Sequence, residues 1–518
     1  MCSDGNLQCH DYEGACQTQT LANVAWGVAT VGHSDPQLLT ALAKTAERCA
    51  GEVKALELAS MAWAFAKGSQ QDAARPDIVS RVGDKGRLTA RERIERLLDP
   101  GSAVEFGAIA AATEDGAWVP EAGGVDFIGT IGGRTVVTSS TDYTDHGGGY
   151  GAARLGRLFG MAKEYGWPVV IFVDGGGSRA RHPRAGQGHI EISGQRGRFT
   201  IIDGMAELSG TVPTVAIVSG PAFAGHASLA GFSDCLIATR GSAIGMGGPP
   251  MVEAALGKRL TPQELAGAEM HERSGGIDLL VQDEDEAIAA AKRYVAFLGA
   301  GDPVAVPGGE QSGLVELVSG SGSYDMHDVI RVIADANSFF ELRPCFAEAL
   351  ITGLARIGGR SVGVLANQPQ VNDGAIDESC ASKANRFVEL CDAYGYPIVS
   401  LIDSPGTGRP NRWHARPMIA HQQREVPLLA VQLRRARGLT GPVMAGFASG
   451  RGLPALYLGW PGVETGRRDS HSVTVDQNAF DDIIDPAETR ERLLRMLRYL
   501  PDFTRAAGAA KRHPIDTW

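Results

Sequence analysis

Tyr165-Gly166-Trp167-Pro168-Val169-Val170 is answered 229 residues later by Tyr394-Gly395-Tyr396-Pro397-Ile398-Val399. The same offset carries Asp174 onto Asp403. Ahead of each Tyr-Gly, apolar residues recur at helical spacing: Leu155, Leu158, Phe159 and Ala162 in one copy, Phe387, Leu390, Cys391 and Tyr394 in the other. That spacing predicts an amphipathic helix, and each proline is followed by a short apolar strand ending in a turn. Gly133-Arg134-Thr135-Val136 and Gly359-Arg360-Ser361-Val362 begin the two copies. A second buried strand follows in each, Val212–Val218 and Val426–Val431. The copies close with Ile277-Asp278-Leu279-Leu280-Val281 and Ile483-Ile484-Asp485-Pro486, each before a Lys/Arg-containing helix. Strands alternating with helices, twice over, predict two homologous α/β domains. They fall at 76–300 and 320–518, joined by the Gly/Ser/Pro-rich linker Gly299–Ser323.

The chain has 518 residues, 43% hydrophobic and 21% charged, as expected of a soluble globular protein with cores large enough to need no disulfide or metal. Lys+Arg 49 against Asp+Glu 60 gives 49 − 60 = −11, so no nucleic-acid partner and no anionic membrane surface is expected. No apolar stretch is long enough to span a bilayer. Cys2, Cys9, Cys16, Cys49, Cys235, Cys345, Cys380 and Cys391 form no CxxC pair, and no metal is expected. Asp4, Asp11 and Glu13 precede the first lysine, Lys44, which fits neither a secretory signal nor a transit peptide. A reducing intracellular compartment is expected, cytoplasm or mitochondrial matrix.

Residues 1–75 read as a short helical arm. Leu21–Ala29 recurs as Leu58–Ala66, with Trp26 and Trp63 spaced 37 apart. The pattern resembles octatricopeptide repeats, an RNA-associated helical family. Residues 1–70 carry four Lys/Arg and seven Asp/Glu, however, so no basic RNA-binding face is visible.

The chemistry is expected at glycine turns. Strand Val169–Val173 runs into Asp174-Gly175-Gly176-Gly177-Ser178, where absent side chains let main-chain N–H groups face a ligand. A following helix would add its unpaired first amides, so the turn suits a phosphate or a developing oxyanion. Ser219-Gly220-Pro221-Ala222-Phe223-Ala224-Gly225-His226 is a second such place. Asp403-Ser404-Pro405-Gly406 and Arg434-Arg435-Ala436-Arg437-Gly438-Leu439-Thr440-Gly441 occupy equivalent places in the other copy. His226 reads as a backbone-satisfied histidine at a helix start, with a general base as the alternative. Gly247-Gly248-Pro249 reads as a turn into a helix that either lines a ligand cleft or is only a turn. Gly147-Gly148-Gly149 completes no dinucleotide fingerprint, no G-x-S-x-G elbow occurs, and Asp142, Asp145 and His146 read as a solvated turn.

Taken with Gly86-Arg87-Leu88-Thr89-Ala90-Arg91-Glu92-Arg93, Ser338-Phe339-Phe340-Glu341-Leu342-Arg343-Pro344 and Gly363-Val364-Leu365-Ala366-Asn367-Gln368-Pro369, these residues resemble the carboxyltransferase (beta) subunit of biotin-dependent acyl-CoA carboxylases, propionyl-CoA carboxylase type. The resemblance implies two tandem crotonase-like (ClpP/crotonase) α/β domains, with acyl-CoA on the first and biotin on the second. It implies an active site shared across a dimer, six-subunit rings, and a biotin carboxylase and biotin carrier on other polypeptides. In that chemistry carboxybiotin yields CO2, biotin takes the α-proton of a short acyl-CoA such as propionyl- or acetyl-CoA, and the thioester enolate captures CO2. Two oxyanions then need amides rather than acid–base side chains. By resemblance Gly176 and Gly177 serve the acyl-CoA enolate, with Gly175, Ser178, Ala224, Gly225, His226, Gly247, Gly248 and Pro249 around the substrate. Leu439 and Thr440 serve biotin, with Pro405, Gly406, Gly438 and Gly441 beside them. The family turn Gly-Gly-Ala-Tyr-Asp reads Gly438-Leu439-Thr440-Gly441-Pro442 here, so the specificity-linked Asp is replaced by Pro442. The chain is also shortened after Gly406, and Pro417 is expected to disturb the next helix. A malonyl-type CoA decarboxylase and an inactive or RNA-linked scaffold are the alternative readings.

Overall fold

A computed structural model describes residues 86–107, 111–114, 117–120, 124–141, 148, 152–176, 201–299, 306–318, 322–408, 411–446, 452, 454–464, 480–501 and 514–516. The helical arm expected at 1–75 and the polar turn Asp142–His146 lie outside these residues. The chain divides into two compact units. Of the smaller one, Met1–Gly86 with Gly107–Ala122, the described element is an antiparallel hairpin, Ala111–Glu114 with Ala117–Pro120.

The larger unit holds two seven-stranded sheets of the same design. In the first, β1 (Val104–Phe106), β2 (Gly124–Ile131) and β3 (Arg134–Thr141) pair antiparallel. From there β4 (Val169–Phe172), β5 (Thr214–Val218), β6 (Cys235–Thr239) and β7 (Leu279–Val281) add on in parallel. The second repeats the order with β8 (Phe340–Leu342), β9 (Leu350–Ile357), β10 (Arg360–Asn367), β11 (Ile398–Ser404), β12 (Leu428–Ala436), β13 (Leu456–Gly459) and β14 (Asp482–Ile483). Parallel strands covered on both faces must be apolar throughout. Val169, Val170, Ile171 and Phe172 are accordingly all buried, as are Ile398, Val399, Leu401 and Ile402.

The tight turn between β2 and β3 and that between β9 and β10 show how closely the halves correspond. Gly132 and Gly133 have φ of 56° and 76°, and Gly358 and Gly359 have 60° and 77°. Both central residues of such a hairpin turn need positive φ, which glycine adopts without strain. Asp99 accepts the N–H groups of Gly132 and Gly133 at 2.9 and 2.8 Å; Asp335 accepts those of Gly358 and Gly359, both at 2.8 Å.

The halves meet through a common core and a buried ionic seam. Arg343 Nε donates to Asp278 at 3.0 Å, Tyr394 Oη donates to Asp234 at 2.5 Å, and Arg386 donates to the Asp234 carbonyl at 2.6 Å. Two expectations are modified. The linker contains a helix, Gly313–Val318, because Leu314 and Val318, four residues apart, both find buried positions. Pro417 lies inside a continuous helix, Arg412–Gln423, where it is buried and its missing N–H forgoes one helical hydrogen bond without ending the helix.

Candidate active site

At the carboxyl end of β4 the chain passes through Asp174 to Gly175. Gly175 N–H donates to the Pro221 carbonyl at 2.8 Å, and Phe223 N–H donates back to the Gly175 carbonyl at 2.7 Å. This clasp joins the first glycine turn to a short strand, Pro221–Phe223, that pairs with Ala243–Gly245. There is no room for a side chain: a Cβ on Gly175 would sit 2.3 Å from the His226 ring. Gly176 is exposed just beyond the clasp, while Gly177 and Ser178 lie outside the described residues.

After Phe223 the backbone swings through Ala224 at φ 54° and ψ −121°, a conformation costly for any residue with a Cβ. It then enters the helix Gly225–Gly231. Ala224 N–H is taken by the Gly245 carbonyl at 3.0 Å. Gly225 N–H opens the helix and has no intrahelical acceptor. A Cβ at Gly225 or Gly247 would meet nothing within 4 Å, so that face is open. Gly248 caps the helix Pro249–Leu256 and its Cβ position lies 3.8 Å from the Phe223 ring, which brings this turn beside the second one. His226 faces Gly148, whose carbonyl accepts from Nε2 at 3.2 Å, so the ring proton is assigned to Nε2. Burial holds its pKa below the ordinary histidine value, leaving it neutral near pH 7. Among the described residues its Nδ1 is buried without a hydrogen-bond partner.

In the second half, Ser404 at the end of β11 pairs with Ala436, and Arg437 N–H donates to the Ser404 carbonyl at 3.3 Å. The register gives the correspondence between halves. Along β4/β5 the pairing Phe172↔Ile217 shifts by two residues to Gly175↔Ala222, and along β11/β12 Ile402↔Gln432 shifts by two to Ser404↔Ala436. Ala224 therefore corresponds to Gly438, Gly225 to Leu439 and His226 to Thr440. Gly438 has φ 60°, close to that of Ala224. Its Cβ position lies 4.0 Å from Gly406 Cα, so the Pro405–Gly406 turn and the Gly438–Gly441 turn come together. The Thr440 amide expected to serve biotin is not free to do so: its N–H donates to the Arg437 carbonyl at 3.2 Å, closing a turn. Among the described residues no acceptor faces the amides of Leu439 or Gly441, and a Cβ at Gly441 would meet nothing within 4 Å.

Behind each pair of turns lies a buried carboxylate whose partners the sequence did not disclose. Asp174 is bound by Arg87, by Arg93 at 2.8 Å, and by the N–H groups of Ser219 and Gly220 at 3.2 and 2.8 Å. Burial opposes its ionisation, and the facing Arg93 and Arg87 outweigh that, so its pKa lies below the ordinary aspartate value. Arg93 also pairs with Glu284 at 2.6 Å, and Ser219 Oγ donates to Glu284 at 2.6 Å. Asp403 accepts from Arg434 Nε at 2.7 Å, Arg435 Nε at 2.8 Å and Tyr324 Oη at 3.0 Å. The sequence signal for this arrangement is the 229-residue offset relating the two aspartates; Arg87 and Arg93 lie in the Gly86–Arg93 stretch, and no local pattern joins them to Asp174.

The described elements of the two halves begin with the helix Ala90–Leu97, and a family model described as the carboxyl transferase domain matches residues 81–445. The chain belongs to the carboxyl transferase family. Among relatives of this carboxyl transferase, the methylmalonyl-CoA carboxyltransferase 12S subunit of Propionibacterium freudenreichii subsp. shermanii is 32% identical over 496 residues, covering 84% of this chain and 92% of its own. The propionyl-CoA carboxylase beta chain of Saccharopolyspora erythraea is 30% identical, covering 84% of this chain and 91% of its own. A crystal structure of transcarboxylase 12S, reported as a hexamer with methylmalonyl-coenzyme A bound, superposes with a TM-score of 0.71 at 29% identity over 84% of this chain and 93% of that one. Among the described residues no helix is long and apolar enough to cross a membrane, and no cluster of three or more His, Cys, Asp or Glu is arranged to hold a metal.

Proposed function

We propose that this carboxyltransferase moves a carboxyl group between carboxybiotin, carried on a separate protein, and the α-carbon of a short acyl-CoA, propionyl-CoA or acetyl-CoA. The observation that carries the reading is the paired turn: in each half a strand-end turn is clasped to a turn at positive φ, and beyond it lie amides with no main-chain acceptor among the described residues (Gly225, Leu439 and Gly441) and open Cβ positions at Gly225 and Gly441. Biotin, when bound, supplies the carboxyl group and the base. The chain's own part is to hold negative oxygen. Gly176, Gly177 and Gly225 amides are assigned to the thioester oxygen, and Leu439 and Gly441 amides, next to Thr440, to the biotin ureido oxygen. Preorganised donors of this kind typically lower a barrier by about 2.7–4 kcal/mol each. Neutral His226, its Nε2–H spent on Gly148, orients the glycine turn and is not assigned as the base.

Short acyl groups are supported by relatives named for methylmalonyl-CoA and propionyl-CoA. An oligomer with the site shared between subunits is supported by the helix Pro249–Leu256, which buries none of its residues and exposes Met251 and Leu256 beside Met246. Incubating the full chain with methylmalonyl-CoA and free biotin tests the reading. Biotin-dependent formation of propionyl-CoA and carboxybiotin is expected. Propionyl-CoA and CO2 formed equally well without biotin would replace transfer by decarboxylation.

A further inference from the structure

Resting on the carboxyl-transfer reading, we propose that Asp174 and Asp403 are positioning residues, one for each half. Each buried carboxylate fixes the spacing between the two turns that present amides to the oxyanion, while its arginine pair cancels the charge it would otherwise place behind them. Asp174 Oδ1 holds the amides of Ser219 and Gly220, and the Asp174 N–H donates to Thr141 Oγ1 at 2.8 Å. One residue onward the chain reaches Gly175 and Gly176; on the other side, Pro221–Phe223 leads to Ala224 and Gly225. The carboxylate therefore ties the two turns together immediately before both reach the ligand face. Asp403 does the same through side chains, since Arg434 and Arg435 belong to β12 just ahead of the Gly438–Gly441 turn.

Charge is balanced in both places. Asp174 and Glu284 face Arg87 and Arg93; Asp403 and Asp373 face Arg434 and Arg435. A bare carboxylate there would repel the very oxygen the amides stabilise. Neither aspartate reaches the ligand face, as both are fully buried, so neither is a catalytic residue.

The test uses the full chain with Asp174→Asn and Asp403→Asn, and with the milder Ser219→Ala and Tyr324→Phe, which remove one hydroxyl from each network. Calorimetry gives Kd for propionyl-CoA and for biotin; kinetics give carboxyl exchange, and decarboxylation of free carboxybiotin without acyl-CoA. Misplaced amides are expected to lower exchange kcat by about 10–10²-fold for the aspartate variants, with both Kd values unchanged. Asp174→Asn should spare carboxybiotin decarboxylation and Asp403→Asn should impair it. Ser219→Ala and Tyr324→Phe should show the same split, each with a smaller loss. Full kcat in Ser219→Ala and Tyr324→Phe, Kd weakening in step with rate, or identical profiles for the two halves overturns the positioning role. A wild-type chain that exchanges nothing counts against the carboxyl-transfer reading itself.

Discussion

Asp174 in the first half is met by arginines from far earlier in the chain, Arg87 and Arg93, whereas Asp403 in the second draws Arg434 and Arg435 from the neighbouring strand. The register explains the exchange. Arg434 corresponds to Gly220, and a Cβ on Gly220 would lie 2.5 Å from the Arg87 guanidinium. Only one of the two positions can deliver a cation, so the ion pair is kept while its source changes. The settings differ as well: the Arg93 side chain is fully buried, while Arg434 and Arg435 keep 22% and 18% of theirs exposed.

That contrast can be broken by substitution. Arg93→Met removes a fully buried cation, leaving Asp174 with Arg87 and Glu284 with the Ser219 hydroxyl, and should destabilise by about 3–5 kcal/mol in denaturant unfolding. Arg434→Met leaves Asp403 with Arg435 and Tyr324 and should cost about 1.5–3 kcal/mol. Equal losses would mean that burial does not separate the halves. Gly175→Ala drives a methyl into His226 and should lower carboxyl exchange by about 10²–10³-fold through the displaced turn. At Gly438 the same change should be mild, about 1–2 kcal/mol in stability, since its counterpart Ala224 already carries a Cβ at nearly the same φ. Relieving that strain with Ala224→Gly should raise unfolding stability by about 1 kcal/mol net of the looser unfolded chain.

The smallest effect is in the pH profile, where one histidine from each half pulls in opposite directions. His226 is held below its unfolded value of 6.5 by burial, so its contribution is complete above pH 6.5 and is lost as the pH falls below it. His327 is raised to about 9, first by its hydrogen bond to Glu341 at 2.9 Å, so its contribution is complete below pH 6.5 and is lost as the pH rises through 9. Thermal unfolding across pH should have a shallower acid limb in His226→Gln, the remainder belonging to buried His421, whose pKa burial lowers to about 3, and should lose its alkaline limb in His327→Gln. Limbs that stay unchanged would assign them to other groups.

Much of the architecture was legible because the repeat is written in local pattern. The Tyr-Gly-Trp/Tyr-Pro pairs mark where a helix stops at a positive-φ glycine and a buried strand starts; Gly166 and Gly395 have φ of 70° and 78°. The helix in the linker was hidden because Leu314 and Val318 are too few to stand out among glycines and serines. At the site, the glycines announced themselves by composition. The charges behind them did not, because Arg93 and Asp174 are 81 residues apart (174 − 93) and no local rule joins them. The shift of pairing by two residues that aligns Ala224 with Gly438 was likewise invisible, since it exists only once strands are in register.

The most direct measurement is a crystal structure of the full chain with methylmalonyl-CoA and biotin. The expected result puts the thioester oxygen about 2.7–3.1 Å from the glycine amides at 176–177 and 225, and the biotin ureido oxygen equally close to the amides of Leu439 and Gly441 of the second half. A thioester oxygen held by side chains, or lying away from both clasped turns, would contradict the account.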